Sequence, residues 1–334
     1  MATKPTEVER HSPDGMPLME FIQCFNKSEF VKQHLNLCHH YAYVYHFVFN
    51  KDKNRYLSVP LTDTTRVKLP TLDNSCDSDY IHASHVDTGS HGRFIIAQSP
   101  LQHTAVDFWR MVWSQRARII VCLSQNENKD GLQYWPIGKD QRKHAAITVD
   151  SPAGHRFKIV NTGSTEPQAQ CQVNRLSVYY SNHQVAKQQL DVQLLHFTGW
   201  PKTKVPSTEK LLDVLQVMWQ MDMEMREWPG QENTTVIQCG SGVGRSATLA
   251  ALSACCHQLT TTGKVDVCGL SALIRQQRLH SLQSRQHYAL LYLCLMQFAT
   301  KQQLLDDAPQ WFRSFTSAVC KVLSFDTTPA IVAH

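Results

Sequence analysis

The hydrophobic and polar positions of this chain repeat with the period of a helix in some segments and with that of a strand in others. Residues 117–123 form an apolar, β-branched run that is typical of a buried strand. Thr104 and Asp107 form a capping-box pattern before an apolar helical stripe, and Ser207 with Glu209 marks the start of another helix. Because the two kinds of element alternate irregularly, the pattern predicts an α/β fold with a twisted, mixed sheet flanked by helices.

Both ends of the chain differ from its middle. Residues 1–16 are polar and typical of a leader, and apolar residues at helical spacing follow between residues 18 and 31. The tail contains apolar positions that predict a short docking helix: Trp311, Phe312, Phe315, Val319 and Val322. We therefore expect a leader at 1–16, a single domain at 17–299 and a tail at 300–334.

Composition narrows the class of protein. Of the 334 residues 42% are hydrophobic, as is ordinary for a soluble globular protein, and no run approaches the ~18 apolar residues of a membrane span. The net charge of +5 is small and dispersed, which suits phosphorylated partners and argues against nucleic acid. The 11 cysteines show no metal-ligand spacing, and the start of the chain has no signal-peptide pattern. We therefore expect reduced thiols, a cytoplasmic location and no cofactor.

The most informative segment, residues 236–247, combines a short apolar strand, a glycine-rich loop and the start of a helix. Such a loop turns its backbone N–H groups towards one point, and the helix directs the positive end of its dipole to the same point. Cys239 begins the loop, where this environment favours a thiolate. Arg245 ends it with a planar fork suited to two phosphate oxygens, and Ser246 is placed to assist a departing thiolate. The segment predicts an anion site with a thiol at its base.

A purely structural interpretation of this segment is a strand, a turn and a helix whose cysteine packs in the core. We favour the anion site, because a packing turn needs no inward-pointing arginine. The loop residues whose backbone would bind the anion are Gly240, Ser241, Gly242, Val243 and Gly244. The loop resembles the signature of the Cys-based protein tyrosine phosphatases, of the non-receptor type.

Further segments resemble the same family, in the family's own order. They are residues 53–56, 59–63, 66–69, 79–84, 94–101, 104–113, 134–136, 199–201, 275–278 and 283–284. The resemblance extends from about residue 25 to residue 297. It implies a single phosphatase domain that hydrolyses phosphotyrosine in proteins through a phosphocysteine intermediate.

The resemblance also implies a role for each matched residue. Cys239 corresponds to the nucleophile, Arg245 to the residue that binds the phosphoryl group and Gln283 to the residue that positions water. Tyr56 corresponds to the aromatic wall that admits a long phosphotyrosine side chain and excludes phosphoserine. Phosphotyrosine-containing proteins are the expected partners, and the oligomeric state stays open.

Lys202 occupies the position of the family's general acid, an aspartate that protonates the leaving tyrosine oxygen and then activates water. Catalysis of this kind contributes roughly 10²–10⁴-fold. A lysine ammonium, with an ordinary pKa of about 10.4, is a weak acid at neutral pH and is unavailable as a base. No Asp or Glu lies between residues 197 and 208 to replace it. The sequence therefore predicts phosphate capture with impaired turnover.

Other positions also depart from the family pattern. Gln238 stands where a histidine usually precedes the nucleophile, His82 where an asparagine is usual, and His287 where a second glutamine is usual. Ser114 stands where the family commonly has the glutamate that holds the signature arginine. We therefore expect Arg245 to be less firmly oriented than in the family.

Two functions from different classes stay open. One is an active phosphotyrosine-protein phosphatase, which the presence of Cys239 and Arg245 supports. The other is a phosphatase-like protein that captures phosphotyrosine and releases it with little turnover, which Lys202 favours. A phosphatase for lipid or RNA phosphates is a weaker third function, because Tyr56 matches a site for phosphotyrosine.

The altered site also resembles the phosphatase-like proteins that parasitoid-wasp bracoviruses express in insect host cells. That family includes members with intact sites and members with broken sites. The resemblance implies a protein of the host-cell cytoplasm that suppresses immune-cell signalling.

Overall fold

The computed structural model describes residues 16–17, 43–71, 78–124, 134–137, 145–166, 168, 170–181, 188–201, 204–226, 233–304, 317 and 319. The strands in chain order are β1 (Met16–Pro17), β2 (Arg66–Lys68), β3 (Tyr80–Asp87), β4 (Arg93–Gln98), β5 (Ile119–Cys122), β6 (Ala146–Asp150), β7 (Arg156–Ser164), β8 (Cys171–Ser181), β9 (Gln188–Phe197), β10 (Thr235–Cys239) and β11 (Lys264–Val265). The helices are α1 (Tyr45–Phe49), α2 (Ala105–Ser114), α3 (Thr208–Glu224), α4 (Arg245–Thr262), α5 (Val267–Gln277) and α6 (Arg285–Lys301).

In this part of the chain a nine-stranded mixed sheet has the order β2-β3-β4-β10-β5-β9-β8-β7-β6, and β1 pairs separately with β11. The pairs within β4-β10-β5-β9 are parallel, and the other pairs are antiparallel. Parallel strands of one sheet need crossover connections, which α2 supplies between β4 and β5 and α3 supplies between β9 and β10, each passing over one intervening strand. The carboxyl ends of the four parallel strands therefore share one edge, where α/β proteins bind ligands. The expected α/β fold with a mixed sheet is confirmed.

Strand β10 lies between the two layers of the core. All five of its residues are buried. Ile237 and Cys239 belong to the core cluster that includes α3, α4 and α6, whereas Val236 belongs to the cluster that includes α2. Since both faces of this strand are covered, its continuous apolar run is what a central parallel strand requires. The strand brings Cys239 to the carboxyl edge of the sheet.

The boundaries of three predicted elements can be compared directly. The apolar run at 117–123 contains β5, and α3 begins after Ser207, whose hydroxyl accepts a hydrogen bond from Lys210 N at 3.4 Å. Helix α2 begins after Thr104 as expected, but the predicted capping box is wrong. The Thr104 hydroxyl instead accepts a hydrogen bond from Leu101 N (2.8 Å), because it closes the preceding 3₁₀ turn.

The ends of the chain lie largely outside the described residues. This applies to the predicted leader except Met16, to the apolar segment between residues 18 and 31, and to most of the tail. Ser317 and Val319 are helical, and the Val319 side chain is buried in the core cluster with α4 and α6. The domain boundaries at 16/17 and 299/300 stay predictions. Within the described ranges, no helix is both long enough and apolar enough to cross a membrane.

Candidate active site

The glycine-rich loop lies at the carboxyl edge of the sheet, between the end of β10 and the start of α4. Gly242 has a φ of 72°, and a Cβ atom there would lie 2.5 Å from the carbonyl group of Ala97. The loop thus packs directly on the end of β4 in a conformation that glycine adopts without strain. A Cβ atom on Gly244 would lie 2.8 Å from Cε1 of His287, so a side chain of α6 packs closely against the end of the loop.

Each carbonyl group from residue 239 to residue 243 accepts a hydrogen bond from outside the loop. The pairs are Ser99 N with Cys239 O (2.8 Å) and Gly240 O (3.3 Å), Arg278 with Ser241 O (3.3 Å) and Gly242 O (3.1 Å), and Leu282 N with Val243 O (3.0 Å). Because C=O and N–H point in opposite directions across a trans peptide, the N–H groups of residues 240–244 are turned towards the inside of the loop. These inward N–H groups form a concave set of donors suited to an anion.

Cys239 lies at the base of this loop with 1% of its surface exposed. Its Sγ lies 3.1 Å from Oγ of Ser246, which is the second residue of α4 and is also buried. The hydroxyl is therefore within hydrogen-bond distance of the sulfur, as the sequence predicts.

Arg245 is the first residue of α4, and its side chain is buried. Nη1 donates to the carbonyl oxygens of Leu123 and Trp200, both at 2.9 Å. These two bonds fix the guanidinium between the end of β5 and the loop that follows β9. The orientation of Arg245 therefore depends on backbone carbonyl groups of two neighbouring strand ends.

The expectation that position 114 lies where it could hold Arg245 is wrong. Ser114 is the last residue of α2, and its hydroxyl donates to the carbonyl oxygen of Met111. Strand β5, which follows, begins beside Thr235, the end of β10 opposite to Cys239. Helix α2 therefore carries Ser114 to the edge of the sheet that lies away from Arg245.

Arg278 is a second arginine of the site, to which the sequence alone assigns no role. Its side chain is fully buried and binds the loop from outside. Nη2 also donates to Nδ1 of His82 (2.9 Å), and Nε2 of His82 donates to the carbonyl oxygen of Val59 (2.9 Å). Since a guanidinium only donates, these partners assign His82 as a neutral imidazole with its proton on Nε2.

Burial and charge act together on this pair. Burial, and then the charge of Arg278, lower the pKa of His82 to about 3. Burial lowers the pKa of Arg278 to about 10, which leaves the guanidinium charged at pH 7. A neutral acceptor at position 82 is therefore part of the support of the loop.

The segment that contains Tyr56 is fixed to the same loop. The Gln98 side chain donates to the carbonyl oxygen of Lys53 (2.7 Å) and accepts from Arg55 N (3.0 Å). The Arg55 side chain donates to the carbonyl oxygen of Ser99 (3.2 Å), and Ser99 N in turn donates to the loop. The half-buried Tyr56 therefore lies on a segment that is hydrogen-bonded to the loop through Gln98 and Ser99.

Gln283 lies at the rim of the site. It follows Leu282, whose N–H binds the loop, but its side chain is exposed and forms a hydrogen bond with His280. Lys202 lies outside the described residues. The neighbouring Trp200 is buried, with 1% of its surface exposed. The structure thus brings the loop, Arg245 and Ser246 together, with Gln283 at their edge.

The family model for protein-tyrosine phosphatases matches residues 50–297 of this chain, a range that includes every element from the Tyr56 segment to most of α6. The chain belongs to the protein-tyrosine phosphatase family. The resemblance predicted from the glycine-rich loop is therefore confirmed at the level of the family and the fold.

Several phosphatases are similar to this chain over its phosphatase domain. Human tyrosine-protein phosphatase non-receptor type 9 is 32% identical over 270 residues, which cover 77% of this chain and 43% of that protein. Human receptor-type tyrosine-protein phosphatase alpha is 31% identical over 263 residues, or 74% of this chain and 29% of that protein. Rat receptor-type tyrosine-protein phosphatase C is 29% identical over 257 residues, or 75% and 18% respectively. This chain spans less than half the length of these relatives.

Two departures from the phosphatase pattern lie in buried surroundings. His287 packs edge-to-face on Trp200, with ring centroids 5.4 Å apart. Burial, and then the charge of Arg245, lower its pKa to about 4, so that this imidazole is neutral at pH 7. Gln238 is fully buried, and neither atom of its amide has a hydrogen-bond partner among the described residues. An amide in this situation destabilises the fold.

In the part of the chain that the structure describes, no three His, Cys, Asp or Glu side chains are grouped so that they could hold a metal ion.

We expect acid to destabilise this phosphatase domain partly through His82. The folded state keeps the imidazole neutral down to about pH 3, whereas the unfolded chain binds a proton near pH 6.5, so stability falls as the pH drops between these values. One proton corresponds to a slope of about 1.4 kcal/mol per pH unit. His82→Gln retains an acceptor for Arg278 but does not titrate, so its free energy of unfolding, measured by urea denaturation from pH 4 to 8, should fall less steeply. Equal slopes for the two proteins would contradict this prediction.

We expect Gln238→Met to stabilise the protein by about 1–3 kcal/mol, because it removes two unpaired polar atoms and keeps the volume of the side chain. Urea unfolding at pH 7.5 measures the change. The matched control is Gln258→Met, which removes a buried amide whose oxygen accepts a hydrogen bond from Asp266 N at 2.7 Å, and should destabilise. A loss of stability in Gln238→Met as large as in the control would show that the Gln238 amide is paired.

Proposed function

We propose that this chain captures phosphotyrosine in proteins at the Cys239 loop and that its turnover is strongly impaired. The observation that carries the proposal is the set of inward N–H groups of residues 240–244, closed by Arg245 at the start of α4. A phosphate dianion would be bound there by backbone donors, by the positive end of the helix dipole and by a guanidinium fork. All three act on the ground state and need no proton transfer.

We infer impaired turnover because the sequence around Lys202 offers no side chain that is a good general acid. The phenolate oxygen of tyrosine is a poor leaving group unless it receives a proton. Lys202 stands at the position where the family has the aspartic acid that supplies this proton. No carboxylic acid lies between residues 197 and 208. The lowered pKa of His287 keeps its imidazole neutral at pH 7, so the acidic imidazolium form that could protonate the leaving oxygen is scarce. A lysine ammonium favours binding of the phosphate dianion over its breakdown.

Phosphotyrosine is the proposed ligand because of the segment beside the loop. Lys53 and Arg55, which precede Tyr56, are hydrogen-bonded to Gln98 and Ser99 beside the loop, and this favours an aromatic wall at a fixed distance from the anion site. Such a wall suits a phenyl phosphate, whose ring separates the phosphorus from the peptide backbone. A short phosphoserine would not reach the base of the loop.

The second candidate function is that of an active phosphotyrosine-protein phosphatase. The contact of 3.1 Å between Cys239 Sγ and Ser246 Oγ favours it, because a hydroxyl that donates to the sulfur stabilises a leaving thiolate. In that reaction the thiolate would attack phosphorus, the bond from phosphorus to the tyrosine oxygen would break, and water would then cleave the S–P bond with Gln283 as its positioning residue. Both steps require proton transfers at the position of Lys202.

The cellular role is proposed from the sequence alone. The resemblance to bracoviral phosphatase-like proteins extends the proposal to a protein of the host-cell cytoplasm that holds phosphorylated signalling proteins of immune cells. Binding without release would suppress signalling by occupying the phosphotyrosine.

The proposal is tested by phosphate release and peptide binding in one set of variants. We expect the natural chain to bind a phosphotyrosyl peptide and to release phosphate at close to the rate of Cys239→Ser, the blank. Lys202→Asp should raise the rate by about 10²-fold or more, because it restores a general acid. Release clearly above the blank by the natural chain would make this protein an active phosphatase. The absence of both binding and release would overturn the capture site.

A second test varies the leaving group. If only the proton donor is impaired, an aryl phosphate with an acidic phenol should be hydrolysed at least about 10²-fold faster than a phosphotyrosyl peptide, because the phenolate leaves without a proton. Single-turnover rates for both substrates, measured in the natural chain and in Lys202→Asp, provide the comparison. Equal impairment with both substrates would place the defect in the loop itself.

A further inference from the structure

A large cavity lies at the edge of the sheet opposite to Cys239, near the start of β4 and β10. It has a volume of about 500 Å³ and is bounded by the turn before β4 and by the second halves of α3 and α4. Phe94, Met218 and Trp219 form its apolar wall, and Trp219 Nε1 donates to the Ser253 hydroxyl at 2.9 Å. The volume lies in the range of small-ligand sites.

Two imidazoles face each other in the wall of this cavity. Nδ1 of His91, in the turn before β4, lies 3.4 Å from Nδ1 of His257 in α4, and the ring centroids are 5.6 Å apart. Among the described residues, neither ring has another hydrogen-bond partner. A hydrogen bond with a nitrogen donor is usually about 2.7–3.2 Å long, so this contact is long for a direct bond.

The separation of the two nitrogens fits a shared ion. Imidazole nitrogens bind zinc at about 2.0–2.1 Å in tetrahedral geometry, so two nitrogens on one ion lie about 3.3–3.4 Å apart. The observed 3.4 Å equals that distance. Binding one ion requires the lone pairs of both rings to converge, and the exposed position of His257 leaves room for its ring to turn.

The backbone holds both ligands in place before any ion binds. His91 ends the 3₁₀ turn Gly89–His91, which is closed by two hydrogen bonds from Thr88, through N (3.0 Å) and Oγ1 (2.7 Å), to the carbonyl oxygen of Gly92. His257 lies in the regular part of α4. Such rigid placement lowers the entropic cost of binding.

We propose that His91 and His257 bind a divalent transition-metal ion of the zinc class, with water or an external oxygen ligand from the cavity completing the coordination. Imidazole suits zinc, copper and nickel, whereas magnesium and calcium prefer oxygen ligands. Ser90, Thr260 and Thr261 line the same cavity and carry hydroxyl groups, which can accept hydrogen bonds from water. A bound ion would join the turn before β4 to α4, the helix that begins with Arg245.

The test is a zinc titration of the full chain in competition with a chromophoric chelator. Cys239→Ser serves as the background, because the thiol in the loop is itself a zinc ligand. We expect the background protein to bind one equivalent of zinc. The affinity for this zinc should fall at least tenfold in His91→Ala and in His257→Ala. The matched control, His103→Ala, removes an exposed imidazole elsewhere and should retain it. Equal stoichiometry and affinity in all four proteins would overturn the proposal.

A gain-of-ligand variant keeps the proposal testable if either alanine variant unfolds. Thr261 lies one turn after His257 and lines the same cavity, so Thr261→His adds an imidazole on the same helix face. We expect zinc to bind this variant at least tenfold more tightly than the background. Adding His91→Gln to this variant should remove most of the added affinity. An unchanged affinity would show that His91 is no ligand.

Discussion

The geometry of the phosphatase site depends on one buried guanidinium, that of Arg278. It donates to the carbonyl groups of Ser241 and Gly242 and thereby turns the N–H groups of the loop inward. Its remaining described acceptors are a histidine nitrogen and a serine hydroxyl, so the charge is held by dipoles without a carboxylate among the described residues. Breaking a buried charge network of this kind is strongly destabilising, because the charge stays behind without its acceptors. The conformation of the loop therefore depends on His82 staying neutral, so that it can accept the hydrogen bond from Arg278.

Arg245 and Arg278 have different electrostatic roles in the site. Arg278 acts from outside the loop and sets the direction of its dipoles, whereas Arg245 acts at the start of α4, where a bound anion would lie. The groups proposed to bind the anion need no acid or base to do so. Beneath the loop, the unpaired amide of Gln238 costs stability and contributes no described contact. This arrangement agrees with the proposal that the site holds an anion.

How much the sequence predicts differs from residue to residue. Cys239, Arg245 and Ser246 lie within one short strand-loop-helix segment, so local spacing was enough to predict that they meet. Arg278 and His82 are 196 positions apart, and their contact follows from tertiary packing, which no local pattern encodes. Ser114 was misplaced because a motif match gives the order of residues and not the direction in which helix α2 runs. Thr104 predicts the correct start of α2, but its hydroxyl does not cap that helix. The hydroxyl instead accepts a hydrogen bond from the preceding Leu101 N.

The bond from Arg245 to the carbonyl oxygen of Trp200 has a thermodynamic consequence. The guanidinium proposed to bind phosphate also binds the segment at Trp200 that follows β9, so phosphate binding and the position of this segment share one group. Any change in that bond when phosphate binds is a coupling free energy, and by linkage it acts equally in both directions. A ligand that shifted the guanidinium would therefore shift the Trp200 segment, and a mutation in that segment would change the proposed phosphate affinity without touching the phosphate. Affinity at this site is therefore a property of both segments together.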